Sequence, residues 1–177
     1  MTKKIILKHI FSVLILISIF SCAETSEVTL KGLDGKDYQL SDYTEKGKWT
    51  IVNVWSTSCP YCRNEMPDLQ DFHDAHKNSD ATVLGIAIDF PSFGYPKPQV
   101  IKDYTNDYFI DFPNLLSDAE QASEIIGEKI SMIPLTFFYN EKGILIGQWK
   151  GSINQQEIEK VMAEGSDALG PFGSGSR

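Results

Sequence analysis

The chain has 177 residues, 42% hydrophobic and 23% charged, a composition that supports one globular domain with a sizeable core and is short for two. A formal charge of −8 argues against nucleic acid as a partner, because phosphate contact needs a basic patch. There is no run of five or more like charges, so no acidic or basic interaction tail is expected.

Residues 1–21 read as an export signal of the lipoprotein type. Lys3, Lys4 and Lys8 form a basic start, and Ile10 to Phe20 is an apolar run of 11 residues broken only by serines. A bilayer span needs about 20 such residues, so this run is too short to be one. Ile19-Phe20-Ser21-Cys22 resembles a lipobox, in which Cys22 carries lipid and opens the mature chain. Phe20 is atypical there, and cleavage without lipid before Ala23 or Glu24 is the alternative. With Cys22 lipidated, Cys59 and Cys62 remain as one pair. Loss of the leader's three lysines leaves 13 basic residues against 24 acidic ones, a formal −11. An exported protein meets an oxidising compartment, where disulfides persist.

Residues 22–27 form a polar tether and 28–164 the folded domain. Val28-Thr29-Leu30 and Tyr38-Gln39-Leu40 flank Asp34-Gly35, a hairpin signal. Ser41-Asp42 suggests a short helical turn. Trp49 to Trp55, apolar and β-branched, predicts a buried central strand. A helix follows from Pro60 to about Lys77, with Pro60 in the first turn and Pro67 expected to kink it. Ala81 to Ile88 is the next buried strand, and Asp89 to Pro98 a long irregular loop. Gln99 to Phe109 predicts a helix, Phe112-Pro113 a connector, and Ser117-Asp118-Ala119-Glu120 the capped start of a helix ending at Gly127. Leu135–Tyr139 and Ile144–Trp149 form a hairpin, and Ser152 is expected to cap a last helix from Ile153 to about Glu164. Residues 165–177, rich in Gly and Ser, read as a flexible tail. This order implies an α/β fold, a mixed central sheet with helices on both faces.

Cys59-Pro60-Tyr61-Cys62 lies at the strand-to-helix junction, at the carboxyl end of a central strand where α/β sites occur. The unpaired N–H groups and dipole of a helix start favour an anion, so a Cys59 thiolate is favoured, and the thiolate is the species that attacks disulfides. Cys62, one turn on, is placed to resolve the mixed disulfide. The alternatives are a structural disulfide or a metal half-site. Zinc normally takes four protein ligands, and no second pair follows. His73 and His76 lie roughly 15 Å along the helix from Cys62.

Asn53-Val54-Trp55, the block Cys59-Pro60-Tyr61-Cys62-Arg63-Asn64-Glu65-Met66-Pro67, Gly85 to Asp89, and Ile133-Pro134-Leu135-Thr136 together resemble the thioredoxin superfamily. Within it the chain is similar to the TlpA/ResA-like envelope thiol-disulfide oxidoreductases, over about Val28 to Ala163. The resemblance implies a thioredoxin-like fold with an N-terminal hairpin and a helical insertion before a cis-proline loop. It implies Cys59 as nucleophile and Cys62 as resolving thiol, joined as a disulfide when oxidised. Pro134 corresponds to the cis-proline, although the sequence alone equally allows a proline at a strand start. Ile133, Trp55, Pro60 and Tyr61 are the expected substrate contacts. Glu65 corresponds to an acid near Cys62 that handles its proton; the bland alternative is a solvated helix carboxylate. Asn53 stands where thioredoxin has a buried aspartate. Ser58 departs from the family, which usually has Trp before the first cysteine.

The activity implied is reduction of disulfides in exported proteins, apocytochrome c among them, by a lipid-anchored monomer facing the periplasm. It would use an upstream electron donor, with the disulfide itself as the redox group and no separate cofactor or metal. Two other readings compete. A peroxidase of the related peroxiredoxin type wants Ser or Thr three residues before its cysteine and Pro seven before; Ser56 meets the first and Val52 fails the second. A binding module would use the aromatics of the insertion, among them Phe90, Phe93, Tyr95, Tyr104, Tyr108 and Phe109, which otherwise pack the core and loops.

Overall fold

A computed structural model of the chain describes residues 28–169. The expected leader 1–21, the Cys22 lipid site and the tether 22–27 lie outside the described residues.

The seven-residue run of β-formers makes β3 (Trp49–Trp55), buried at every position. It sits inside a seven-stranded mixed sheet of order β2-β1-β5-β4-β3-β6-β7. The other strands are β1 (Leu30–Gly32), β2 (Asp37–Tyr38), β4 (Ala81–Ala87), β5 (Asn114–Leu116), β6 (Leu135–Tyr139) and β7 (Leu145–Lys150). β3 pairs parallel with β4, and β4 with β5; the pairs β3–β6, β6–β7, β1–β2 and β1–β5 are antiparallel. The helices are α1 (Ser41–Thr44), α2 (Pro60–His76), α3 (Pro98–Asp107), α4 (Ala119–Ile126) and α5 (Gln155–Glu164). This is the thioredoxin-like mixed sheet with its N-terminal hairpin.

Three local expectations change. β5 is a strand where only a connector was expected; it joins the N-terminal hairpin to the parallel core. Its three residues follow Pro113 and are too few to show a period. Asn154, not Ser152, caps α5, in a reciprocal capping box with Glu157. Ser152 instead donates from Oγ to the Tyr61 carbonyl at 3.1 Å. The first part of the expected tail, Gly165–Leu169, is a 3₁₀ turn that buries Leu169 against Gly147 of β7. The 17-residue α2 runs through Pro67 as expected.

Register carries three segments to one end of the sheet. β3 and β4 run parallel and end together at Trp55 and Ala87, with the Ile88 N–H donating to the Trp55 carbonyl at 2.9 Å. β6 is antiparallel to β3 with Leu135 opposite Val54, so Ile133-Pro134 enters beside the end of β3. The turn into α2, the loop after β4 and the lead into β6 therefore converge. That convergence positions the cysteines.

Candidate active site

Cys59 is the N-cap of α2, in extended conformation, and its sulfur accepts from the Cys62 N–H at 3.3 Å. Pro60 follows in the first helical turn, where its missing N–H is no loss. Cys59 and Cys62 form a disulfide with their Cα atoms 5.3 Å apart, within the usual span for such a bridge. A thiolate at Cys59 would keep the same N–H donor and the positive end of the helix dipole, the arrangement that lowers a thiol's pKa.

The Ile133–Pro134 peptide is cis, as the resemblance implies for this loop. Pro60 and Tyr61 are exposed, Tyr61 by 70%. Ile133 keeps 9% of its surface and Pro134 is buried. Trp55, expected to touch substrate, has no surface to offer: it is fully buried, its indole N–H donating to Asn114 Oδ1 at 2.9 Å. Both faces of β3 are covered, and Trp55 packs on Tyr104 with ring centroids 5.3 Å apart. Cys59 itself is only 2% exposed.

Ser58 has a definite task. Its Oγ donates to the Phe90 carbonyl at 2.9 Å, so the residue before the first cysteine holds the loop after β4. Phe90 and Phe93 of that loop meet edge to face, and the Phe93 carbonyl accepts from the Ala119 N–H at the start of α4. Part of the aromatic insertion thus lies beside the site.

Glu65, one turn beyond Cys62 on the same helix, is 1% exposed, so it is not a solvated helix carboxylate. Its Oε1 accepts from Asn53 Nδ2 at 2.8 Å and its Oε2 from the Ile153 N–H at 2.9 Å. Burial pushes the carboxyl up to about 8; the two donors pull it down, and Asp68 adds a small upward push. The same Asn53 amide donates to Thr136 Oγ1 at 3.0 Å, across the β3–β6 pair. Neither Thr136 as the second acceptor of the Asn53 amide nor the Ile153 N–H as a donor to Glu65 was legible. The first needs the strand register, and the second is a backbone group with no side-chain signature.

Residues 23–147 match the model of the AhpC/TSA family. The chain belongs to the AhpC/TSA family. Sporulation thiol-disulfide oxidoreductase A of Bacillus subtilis is 28% identical over 136 residues, 76% of this chain and 77% of that protein. Thiol-disulfide oxidoreductase ResA of Halalkalibacterium halodurans is 23% identical over 133 residues, 75% of this chain and 70% of that one. Among solved structures, a DsbF homologue from Corynebacterium diphtheriae superposes with a TM-score of 0.65 at 25% identity, covering 77% of this chain and 83% of that one. With these relatives and this disulfide, the AhpC/TSA member described here is a thioredoxin-like thiol-disulfide oxidoreductase whose redox-active pair is Cys59 and Cys62.

Proposed function

We propose that the protein reduces disulfides of exported proteins, apocytochrome c being one such class, while lipid on Cys22 holds it to a membrane outside the cytoplasm. The observation that carries the direction of attack is Cys59 at the N-cap of α2, its sulfur facing the Cys62 N–H. The basic and apolar pattern of residues 1–21 supports export, and Cys22 at its end supports the anchor.

In the reduced protein the Cys59 thiolate attacks one sulfur of a substrate disulfide and expels the other as a thiolate. Glu65 takes the proton from the Cys62 thiol, and the Cys62 thiolate attacks the Cys59 sulfur. The second substrate sulfur leaves as a thiolate, the Cys59–Cys62 disulfide closes, and two electrons have passed to the substrate. With its carboxyl near 8, Glu65 is mostly protonated at neutral pH; the base is its ionised minority, whose proton affinity is well matched to a thiol of about 8.5. Ile133-Pro134, Pro60 and Tyr61 border the sulfur pair and supply the contacts for the substrate backbone. A dithiol protein upstream returns the disulfide to its reduced form.

The test is reduction of insulin or a similar protein disulfide with a dithiol donor present. The parent protein turns over and Cys59→Ser does not; full activity in Cys59→Ser contradicts the proposal. For the anchor, metabolic labelling with a fatty acid marks the parent and not Cys22→Ser, and an unlabelled parent contradicts it.

A further inference from the structure

α3 ends in an arrangement that works against its own stability. The Ile110 N–H donates to the Thr105 carbonyl at 2.8 Å and the Phe109 N–H to that of Asn106 at 3.4 Å, the paired bonds of a Schellman motif. The residue after the C-cap in that motif is left-handed and usually Gly; here it is Phe109, at φ 54. The phenyl ring gains no burial in return, since Phe109 is 85% exposed and its neighbour Tyr108 54%. A bulky residue in a strained backbone with its ring in water suggests a surface kept for contact.

The two rings border a cavity of about 340 Å³ between α2 and α3, lined also by Arg63, Met66, Gln70 and Tyr104. Its aromatic wall is fixed: Tyr108 stacks on Tyr104 at 4.5 Å, and Tyr104 packs on the buried Trp55. The α2 positions lie on the stripe that starts at Cys59, because 59, 63, 66 and 70 recur at helical spacing. The cavity therefore lies on the helix face that begins at the nucleophile, one to three turns along it. From Cys59 to positions 66–70 the rise is about 10–16 Å, which an extended peptide spans in roughly three to five residues. Asp71 and Asp74 on the rim, in a chain of formal charge −8, disfavour an acidic occupant.

We propose that this groove receives a bulky apolar side chain of the polypeptide in mixed disulfide with Cys59, three to five residues from the reacting cysteine. The inference rests on the disulfide-reductase reading and assigns that site a sequence preference.

The experiment uses the full chain with a dithiol donor. The substrates are peptides with one cysteine as its glutathione mixed disulfide and Phe, Ala or Asp three to five residues away on either side. On one side, kcat/KM for Phe should exceed that for Ala at least fivefold, with Asp below Ala. Tyr108→Ala and Phe109→Gly should each remove most of that difference while leaving reduction of glutathione disulfide unchanged. Phe109→Gly should unfold no earlier than the parent, since Gly suits the left-handed position. Equal rates for Phe, Ala and Asp peptides would overturn the inference, as would a preference that survives both substitutions. If the two variants altered only self-association, the face would belong to a second copy and the inference would fall. Inability of the parent to reduce even glutathione disulfide would instead sink the reductase reading itself.

Discussion

The Asn53 amide donates to Glu65 at 2.8 Å inside the core, joining the central strand to the helix that carries both cysteines. Glu65 has two donors and almost no solvent, and burial wins: the carboxyl is pushed up to about 8. The folded protein therefore holds a proton on Glu65 at neutral pH that the unfolded chain, with an ordinary carboxyl of about 4.3, has released.

Stability should fall with rising pH on this account. A raised folded-state pKa means that the native state binds more protons than the unfolded state between roughly pH 4.5 and 8. Across that window the Glu65 contribution declines with a slope approaching about 1.4 kcal/mol per pH unit. Glu65→Gln, neutral at every pH, should flatten this slope and become the more stable form above pH 8. Denaturant melts at pH 5, 7 and 9 check it; parallel slopes for parent and variant would contradict the raised value.

Asn53→Asp would put a second carboxyl beside Glu65 in place of a donor. Like charges in a buried site cannot both ionise easily, so the pair should titrate in two separated steps, the upper above that of Glu65 in the parent. The pH midpoint for Cys62 attack on the Cys59 mixed disulfide, measured by stopped flow, should move upward. No movement would show that Asn53 and Glu65 are not coupled.

Gly85 lies opposite Asn114 in the β4–β5 ladder, and a Cβ there would collide with Asn114 Oδ1. That oxygen accepts the Trp55 indole N–H, so Gly85→Ala should crowd the core and break the bond together. The expected loss is about 2–4 kcal/mol, from overpacking plus an unsatisfied buried donor. Adding Asn114→Ser should cost less than the two single changes summed, since it removes the collision partner. Thermal or denaturant unfolding of the three variants decides this; strict additivity would contradict it.

The parts of the fold that were legible are those with long, consistent patterns. Trp49–Trp55 and Pro60–His76 matched their predicted spans closely because six β-formers in seven residues and a seventeen-residue helix leave little ambiguity. β5 was not visible, since Asn114-Leu115-Leu116 becomes a strand only through neighbours distant in sequence. The α5 start moved from Ser152 to Asn154 although each has a capping-box residue three on, Gln155 and Glu157, because the Ser152 hydroxyl bonds the Tyr61 carbonyl instead. Within the site, the cysteines could be picked out by their spacing at a helix start, and Glu65 by the family resemblance. The burial of Trp55, the Ser58 tether to Phe90 and the left-handed Phe109 depend on tertiary register or backbone conformation, which composition does not encode.

The central claim is that the Cys59–Cys62 pair donates electrons, and its reduction potential tests this most directly. Equilibration of the full chain with glutathione or dithiol buffers, with thiol alkylation as the readout, gives the value. A reductant should lie near thioredoxin's roughly −270 mV. A potential nearer roughly −120 mV would make the pair an oxidant and contradict the account.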